Sequence, residues 1–290
     1  MLLTLRKNEL YLSLPSFGWL IVFFLIPSLV IFGYAFKPED PYGGVGPGWT
    51  LETLRSILDP KYYTLIWRTL WLSCTTTLIC LLLALPMGYQ LSLTSAKPRQ
   101  ILLLLLVVPF WSSFLIRIFA WKMLLHPEGL LKNTLITLHL IAPETSLLYN
   151  PGAVLLVMVY TYLPFAVFPI YAAASKFNFQ LVEAALDLGA SKRQAFTKVF
   201  MPGIRKGIIT AMVMVFIPAI GAYVIPDLVG GSNSEMIGNK IAQRTFIDRN
   251  LPQASALSAL LGLVVLLPMA TFTLWSFRNK NVEAEARNRE

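Results

Sequence analysis

The sequence predicts an all-α integral membrane protein with six transmembrane helices, and three observations carry that reading. Of its 290 residues, 56% are hydrophobic and only 13% charged, against about 25% charged in an ordinary soluble domain. The apolar residues gather into runs long enough to cross a bilayer, which takes about 20 residues. The basic residues fall in the gaps between those runs, and mainly in alternate gaps.

The first run, 16–36, follows Arg6 and Lys7 as a secretory leader would. It exceeds the roughly 7–15 apolar residues of a leader, and no small-x-small cleavage site follows it. It is therefore expected to stay as an anchor. Further spans are expected at 65–93, 100–125, 152–175, 206–226 and 254–277, within one membrane domain covering 1–290. One set of gaps holds Arg6, Lys7, Lys97, Arg99, Lys176, Lys192, Arg193, Lys198, Arg205, Lys206, Arg278 and Lys280. The other set offsets its bases with acids such as Glu39, Asp40, Glu128, Asp227 and Asp248. The positive-inside rule then places both termini in the cytoplasm. The net charge of +9 reports topology and not a nucleic-acid surface, so the expected surroundings are a lipid bilayer. The outer stretch DLVGGSNSEMIGNKIAQRTFIDRN is too polar to span and is expected as an extracellular helix or a re-entrant element.

The largest cytoplasmic gap, 176–205, contains EAALDLGASKRQAFTKVFMP from Glu183 to Pro202. Leu181, Val182, Ala185, Leu186 and Leu188 give a short helix one apolar side, with Glu183 and Asp187 on another. Gly189 can take the left-handed conformation that ends a helix. Ser191 can cap a second helix over 192–200, and Pro202 is expected to stop it. The product is a helix–turn–helix facing either a partner or the lipid interface.

That segment resembles the EAA loop of ABC importer permeases: EAA, three residues, Gly, nine residues, then an apolar-x-apolar-Pro ending. Glu183, Ala184, Ala185, Gly189 and Pro202 fall in register, with Val199 and Met201 in place of the usual Ile and Leu. The resemblance implies the type I, MetI-like importer fold. It also implies that the first short helix is a coupling helix, with Glu183, Ala184, Ala185, Asp187 and Gly189 engaging a cytoplasmic ATPase. Further stretches, VVPFWSSFLIRIFAWKMLL (107–125), YTYLPFAVFPIY (160–171) and IPAIGAYVIPDLVGGSNSEMIGNKI (217–241), are similar to the permeases of spermidine/putrescine importers. Polyamine is the implied cargo. Permeases for iron, phosphonates and sulfate share the scaffold and remain alternatives. The implied partners are a homologous second permease, two copies of the ATPase and an extracytoplasmic substrate-binding protein.

No G-x-x-x-x-G-K-[ST] loop occurs, so phosphate cradling by that motif is not offered here. The resemblance places ATP and Mg on the partner ATPase, with no cofactor in this chain. His126 and His139 lack zinc-site spacing, and Cys74 and Cys80 lie too far apart around one helix to act together. Catalytic and metal roles are therefore assigned to no residue.

Polyamines need carboxylates and aromatic faces. Asp227, Tyr223, Trp111, Tyr160 and Tyr162 supply these beside expected kinks at Pro109, Pro164, Pro218 and Pro226. Arg117, an ionisable group within an expected span, is by default functional. It reads either as a gate or path residue, or as the structural partner of an acid such as Asp227. Two rival classes are a secondary transporter, against which scarce mid-span acids and the loop itself speak, and a non-transporting membrane scaffold that uses the loop only to bind a partner.

Overall fold

A chain in hydrocarbon must satisfy its own backbone polar groups, and the helix does so within one segment. The computed structural model describes residues 7–267, with side chains from residue 13 onward. Helix follows helix: α1 (Lys7–Leu20), a π turn Ile21–Leu25, α2 (Ile26–Tyr34), α3 (Glu52–Ser56), α4 (Pro60–Leu93), α5 (Ala96–Val107), α6 (Phe114–Leu124), α7 (Leu130–Thr137) and α8 (Pro151–Ala174). Then come α9 (Gln180–Asp187), α10 (Lys192–Ala195), α11 (Met201–Gly203), α12 (Arg205–Ile220), α13 (Val224–Val229), α14 (Ile237–Ala242) and α15 (Leu251–Leu267). The described residues form no strand, only an isolated bridge between Glu39 and Val45.

Three helices are long and apolar enough by themselves to cross a membrane: Ser13–Tyr34, Pro60–Leu93 and Pro151–Ala174. Two more qualify if bent pairs are each counted as one. The run expected at 100–125 is one such pair. It is helical over α5, passes through a 3-10 turn at Val108–Trp111, breaks at Ser112–Ser113, and resumes as α6 at 93°. The run expected at 206–226 also differs from a single helix. It is α12, which stops at Ile220, and then the separate short α13. Hydropathy sums composition through a break, so both segments read as continuous in the sequence. The far part of the run expected at 254–277 lies outside the described residues.

The chain divides into two compact units, Met1–Tyr63 with Lys240–Glu290, and Thr64–Asn239. In the first, the Pro/Gly-rich stretch over 37–50 is tied down locally. Asn250 donates to the Glu39 carboxylate, Gly44 N–H donates to the Arg249 carbonyl at 2.7 Å, and the Lys37 ammonium sits 4.3 Å from the Trp49 ring centre.

The second unit is organised by α8, whose Asn150 side chain accepts from Ala153 N–H at 2.9 Å to cap its start. Apolar residues line its buried face, among them Val154, Val157, Met158, Val167 and Ile170. Helix α12 packs along it through Gly207, Ala211, Val215 and Ala219, all buried. Small residues four apart form a ridge on which another helix can approach closely. A Cβ on Gly207 would lie 2.4 Å from Ala173 Cβ and 2.9 Å from the Pro169 carbonyl. Helix α4 approaches α8 in the same way, since a Cβ on Gly88 would lie 2.6 Å from Ile170. The buried Thr77 on α4 donates to its own helix, to Ser73 O at 2.7 Å, which satisfies a hydroxyl without water.

Candidate functional site: a coupling loop and a broken bundle

The loop is built from local capping chemistry. The Asn178 side chain accepts from Gln180 N–H at 3.1 Å and opens α9. At the other end Gly189 N–H donates to Leu186 O and Ala190 N–H to Ala185 O, at 2.9 and 3.0 Å. Gly189 has φ +87°, the left-handed turn that a residue with a Cβ resists. Ser191 then closes a reciprocal capping box with Gln194 over the start of α10, which satisfies two otherwise free N–H groups.

Beyond that start the second limb departs from the expected plain helix over 192–200. It widens into a π turn at Phe196–Phe200 and continues through Pro202 to Gly203. Pro202 does not stop it. Placed in the first turn of α11 after the widened segment, its missing N–H costs no helical bond. The stop comes at Ile204, with φ −102° and ψ 17°, where the chain bends by 75° into α12.

The apolar residues of α9 do not share one fate. Val182 is buried and Ala185 half-buried, both packed on the core. Leu181, Ala184, Leu186 and Leu188 are exposed, Leu188 at 90%, beside exposed Glu183, Asp187 and Gly189. The loop thus shows an outward surface of small, apolar and acidic groups. Beneath it lies an aromatic cluster that the motif does not announce: Tyr89 on α4, Phe177 and Phe179 ahead of α9, and Phe196 and Phe200 on the second limb. Phe200 is fully buried. Four phenylalanines bracketing one polar loop were the available sequence signal.

The residues expected along a substrate path are only partly gathered. Where α12 ends, Tyr162 of α8 donates its hydroxyl to the Pro218 carbonyl at 3.3 Å. The break is built rather than frayed: Asn239 donates to the Tyr223 carbonyl at 2.8 Å and accepts from Met236 N–H at 3.1 Å. Beside it lies a cavity of about 180 Å³ lined by Phe114, Tyr162, Pro218, Gly221, Tyr223 and Ile225. Tyr162 and Tyr223 therefore line the same cavity. Asp227 is exposed one turn further on, its N–H bonded to Tyr223 O at 3.0 Å, and it does not line the cavity. Tyr160 instead packs edge-on against Trp121 at 5.2 Å, and Trp111 is 77% exposed. Phe114 and Asn239 were not singled out in the sequence because their importance depends on breaks that hydropathy hides.

The reading of Arg117 as the structural partner of Asp227 needs a correction. The Arg117 guanidinium donates to the Pro109 carbonyl at 3.0 Å and lies 4.7 Å from the Phe110 ring centre, and it makes no ion pair with Asp227. It shares that carbonyl, at the point where α5 gives way to α6, with the Ser112 N–H and hydroxyl, which donate to it at 3.3 and 2.8 Å. A charged group in a span finds its partner in the break itself.

The fold and the loop together define a helical inner-membrane transport component. Residues 81–279 match the family described as binding-protein-dependent transport system inner membrane component, and the chain belongs to that family: it is a permease subunit of an ABC transporter. It is 37% identical over 269 residues to the spermidine/putrescine transport system permease protein PotB of Escherichia coli K12, covering 92% of this chain and 98% of that one. It is 36% identical over 272 residues to PotB of Haemophilus influenzae, with 93% and 94% covered. Among solved structures, a bacterial ABC transporter that imports the acidic polysaccharide alginate shares the fold. Its TM-score is 0.73 at 19% identity, over 94% of this chain and 96% of that one.

Proposed function

We propose that this chain forms half of the translocation path of an ATP-driven importer for polyamines, spermidine or putrescine. The observation that carries the cargo is the near end-to-end similarity to the spermidine/putrescine permeases at 37% identity. The chain would pair with a homologous second permease and dock two ATPase copies, which hold ATP and Mg. It would receive cargo from an extracytoplasmic binding protein. A solved neighbour at 19% identity was captured with its periplasmic protein, which supports that last partner.

In this reading both termini are cytoplasmic, and the exposed surface of Glu183, Ala184, Asp187 and Leu188 enters a groove of the ATPase. When the ATPase closes on ATP, the loop is displaced and the helices that it joins rock between inward and outward arrangements. Tyr162 and Tyr223 offer aromatic faces to a passing ammonium chain, which such faces attract by about 0.5–2 kcal/mol each, and Asp227 draws it in. Tyr160 and Trp111 flank the path, and Arg117 braces the break between α5 and α6 rather than touching a cation. The test is uptake of labelled spermidine by proteoliposomes holding the assembled complex and its loaded binding protein. ATP-dependent uptake that unlabelled putrescine, and not sulfate or phosphonate, competes away is the expected result. Uptake of another solute in its place would overturn the cargo.

A further inference from the structure

The aromatic cluster under the loop separates two tasks that one motif would otherwise merge: holding the loop in shape and fastening it to the bundle. Phe177, Phe179, Phe196 and Phe200 come from the loop's two limbs and touch one another. Phe177 meets Phe179 and Phe200 at 5.4 Å each, Phe179 stacks on Phe200 at 6.0 Å, and Phe196 stacks on Phe200 at 5.3 Å. Tyr89 belongs to neither limb. From α4 it presents its ring to Phe179 at 5.8 Å, Phe196 at 5.3 Å and Phe200 at 4.8 Å, each edge-on, with interplanar angles of 67°, 80° and 82°. Edge-on aromatic contacts fix orientation as well as burying area. One position back, Gly88 brings the α4 backbone against Ile170 and Tyr171 of α8 with no room for a Cβ. A push on the Tyr89 ring therefore has little slack to lose before it reaches both helices, because a packed interior yields by discrete steps and not by compression.

We infer that Tyr89 is a positioning residue for energy coupling: its ring seats both limbs of the loop on α4, so that displacement of the loop is carried into α4 and α8. This rests on the permease reading given above. The experiment uses the whole complex in proteoliposomes, with labelled spermidine on the binding protein. It measures spermidine moved per ATP hydrolysed, together with the amount of ATPase that co-purifies. In Tyr89→Leu the loop keeps its internal ring contacts, so the ATPase co-purifies and basal hydrolysis persists. Spermidine moved per ATP falls by at least about fivefold, the lower end of ordinary coupling between sites. Tyr89→Phe, which keeps the ring, restores the ratio. Phe196→Leu removes one of the three faces from the loop side and gives a smaller fall in the same ratio. It also decides the matter if Tyr89→Leu does not accumulate in the membrane. An unchanged ratio in Tyr89→Leu, or in Phe196→Leu when that is the deciding variant, overturns the inference. So does loss of the ATPase from a Tyr89→Leu complex that otherwise assembles. If the unsubstituted complex neither retains an ATPase nor moves spermidine, the permease reading fails instead, and the two failures are told apart.

Discussion

The loop over 176–205 and the broken helix end at Gly221–Tyr223 are both irregular, yet they are held in opposite ways. The loop is closed by neighbours in sequence: Gly189 turns it, and Ser191 and Gln194 cap each other three residues apart. The break is closed by strangers. Tyr162 reaches the Pro218 carbonyl from 56 positions away, and Asn239 reaches Tyr223 from 16. A locally closed element can be presented outward to a partner without loss of shape. One closed from a distance depends on the arrangement of the helices around it. Conformational change is thus expected at the break and rigidity at the loop.

The largest effect that tests this contrast is at the turn. Gly189→Asp puts a side chain at a φ of +87°, which a residue with a Cβ resists, and places an acid on the outward surface. Spermidine-stimulated ATP hydrolysis in the assembled complex should be nearly abolished, and Glu183→Lys should do the same through charge alone. Normal stimulation in both would remove the loop from the coupling route. Next comes helix contact: Gly207→Leu must force α12 off α8, and overpacking of this kind costs about 1–3 kcal/mol. Thermal unfolding in detergent should shift down by several degrees, whereas the same change at Gly18, where a Cβ meets nothing, should not.

Arg117→Met, a smaller perturbation, takes the guanidinium from a Pro109 carbonyl that keeps its Ser112 donors, a loss of about 0.5–1.5 kcal/mol. Arg117→Lys should recover part of it. Equal stability of all three proteins would deny the brace. The smallest change is at the cap. Ser191→Ala removes one side of the capping box, worth about 0.5–2 kcal/mol, and should speed hydrogen exchange at Gln194 while leaving α8 protected.

This contrast also explains what was legible in the sequence. Gly189, Ser191 and the EAA spacing were readable because capping obeys short-range rules. Long apolar runs gave α4 and α8 for the same reason, since span length is set by the bilayer and not by the fold. The interruptions after Trp111 and Ile220 were hidden. Pro109 and Pro218 marked kinks, but no local rule says whether a kink bends a helix or ends it. Arg117 was visible as an anomaly, yet its partner was a backbone carbonyl, which leaves no trace in residue identity. Tyr89 was least legible of all, being one ring on an apolar helix whose meaning comes from four phenylalanines far along the chain.

That distance bears on how the protein is made. Tyr89 precedes Phe177 by 88 positions and Phe200 by 111, so a ribosome has synthesised the first of these rings long before the last emerges. The loop cannot reach its final seat until α4 and α8 both stand in the bilayer and residue 200 has cleared the exit tunnel. In the proposed reading, an ATPase that docks on the seated loop would therefore be recruited late in biogenesis, and a chain truncated before residue 200 would lack that seat.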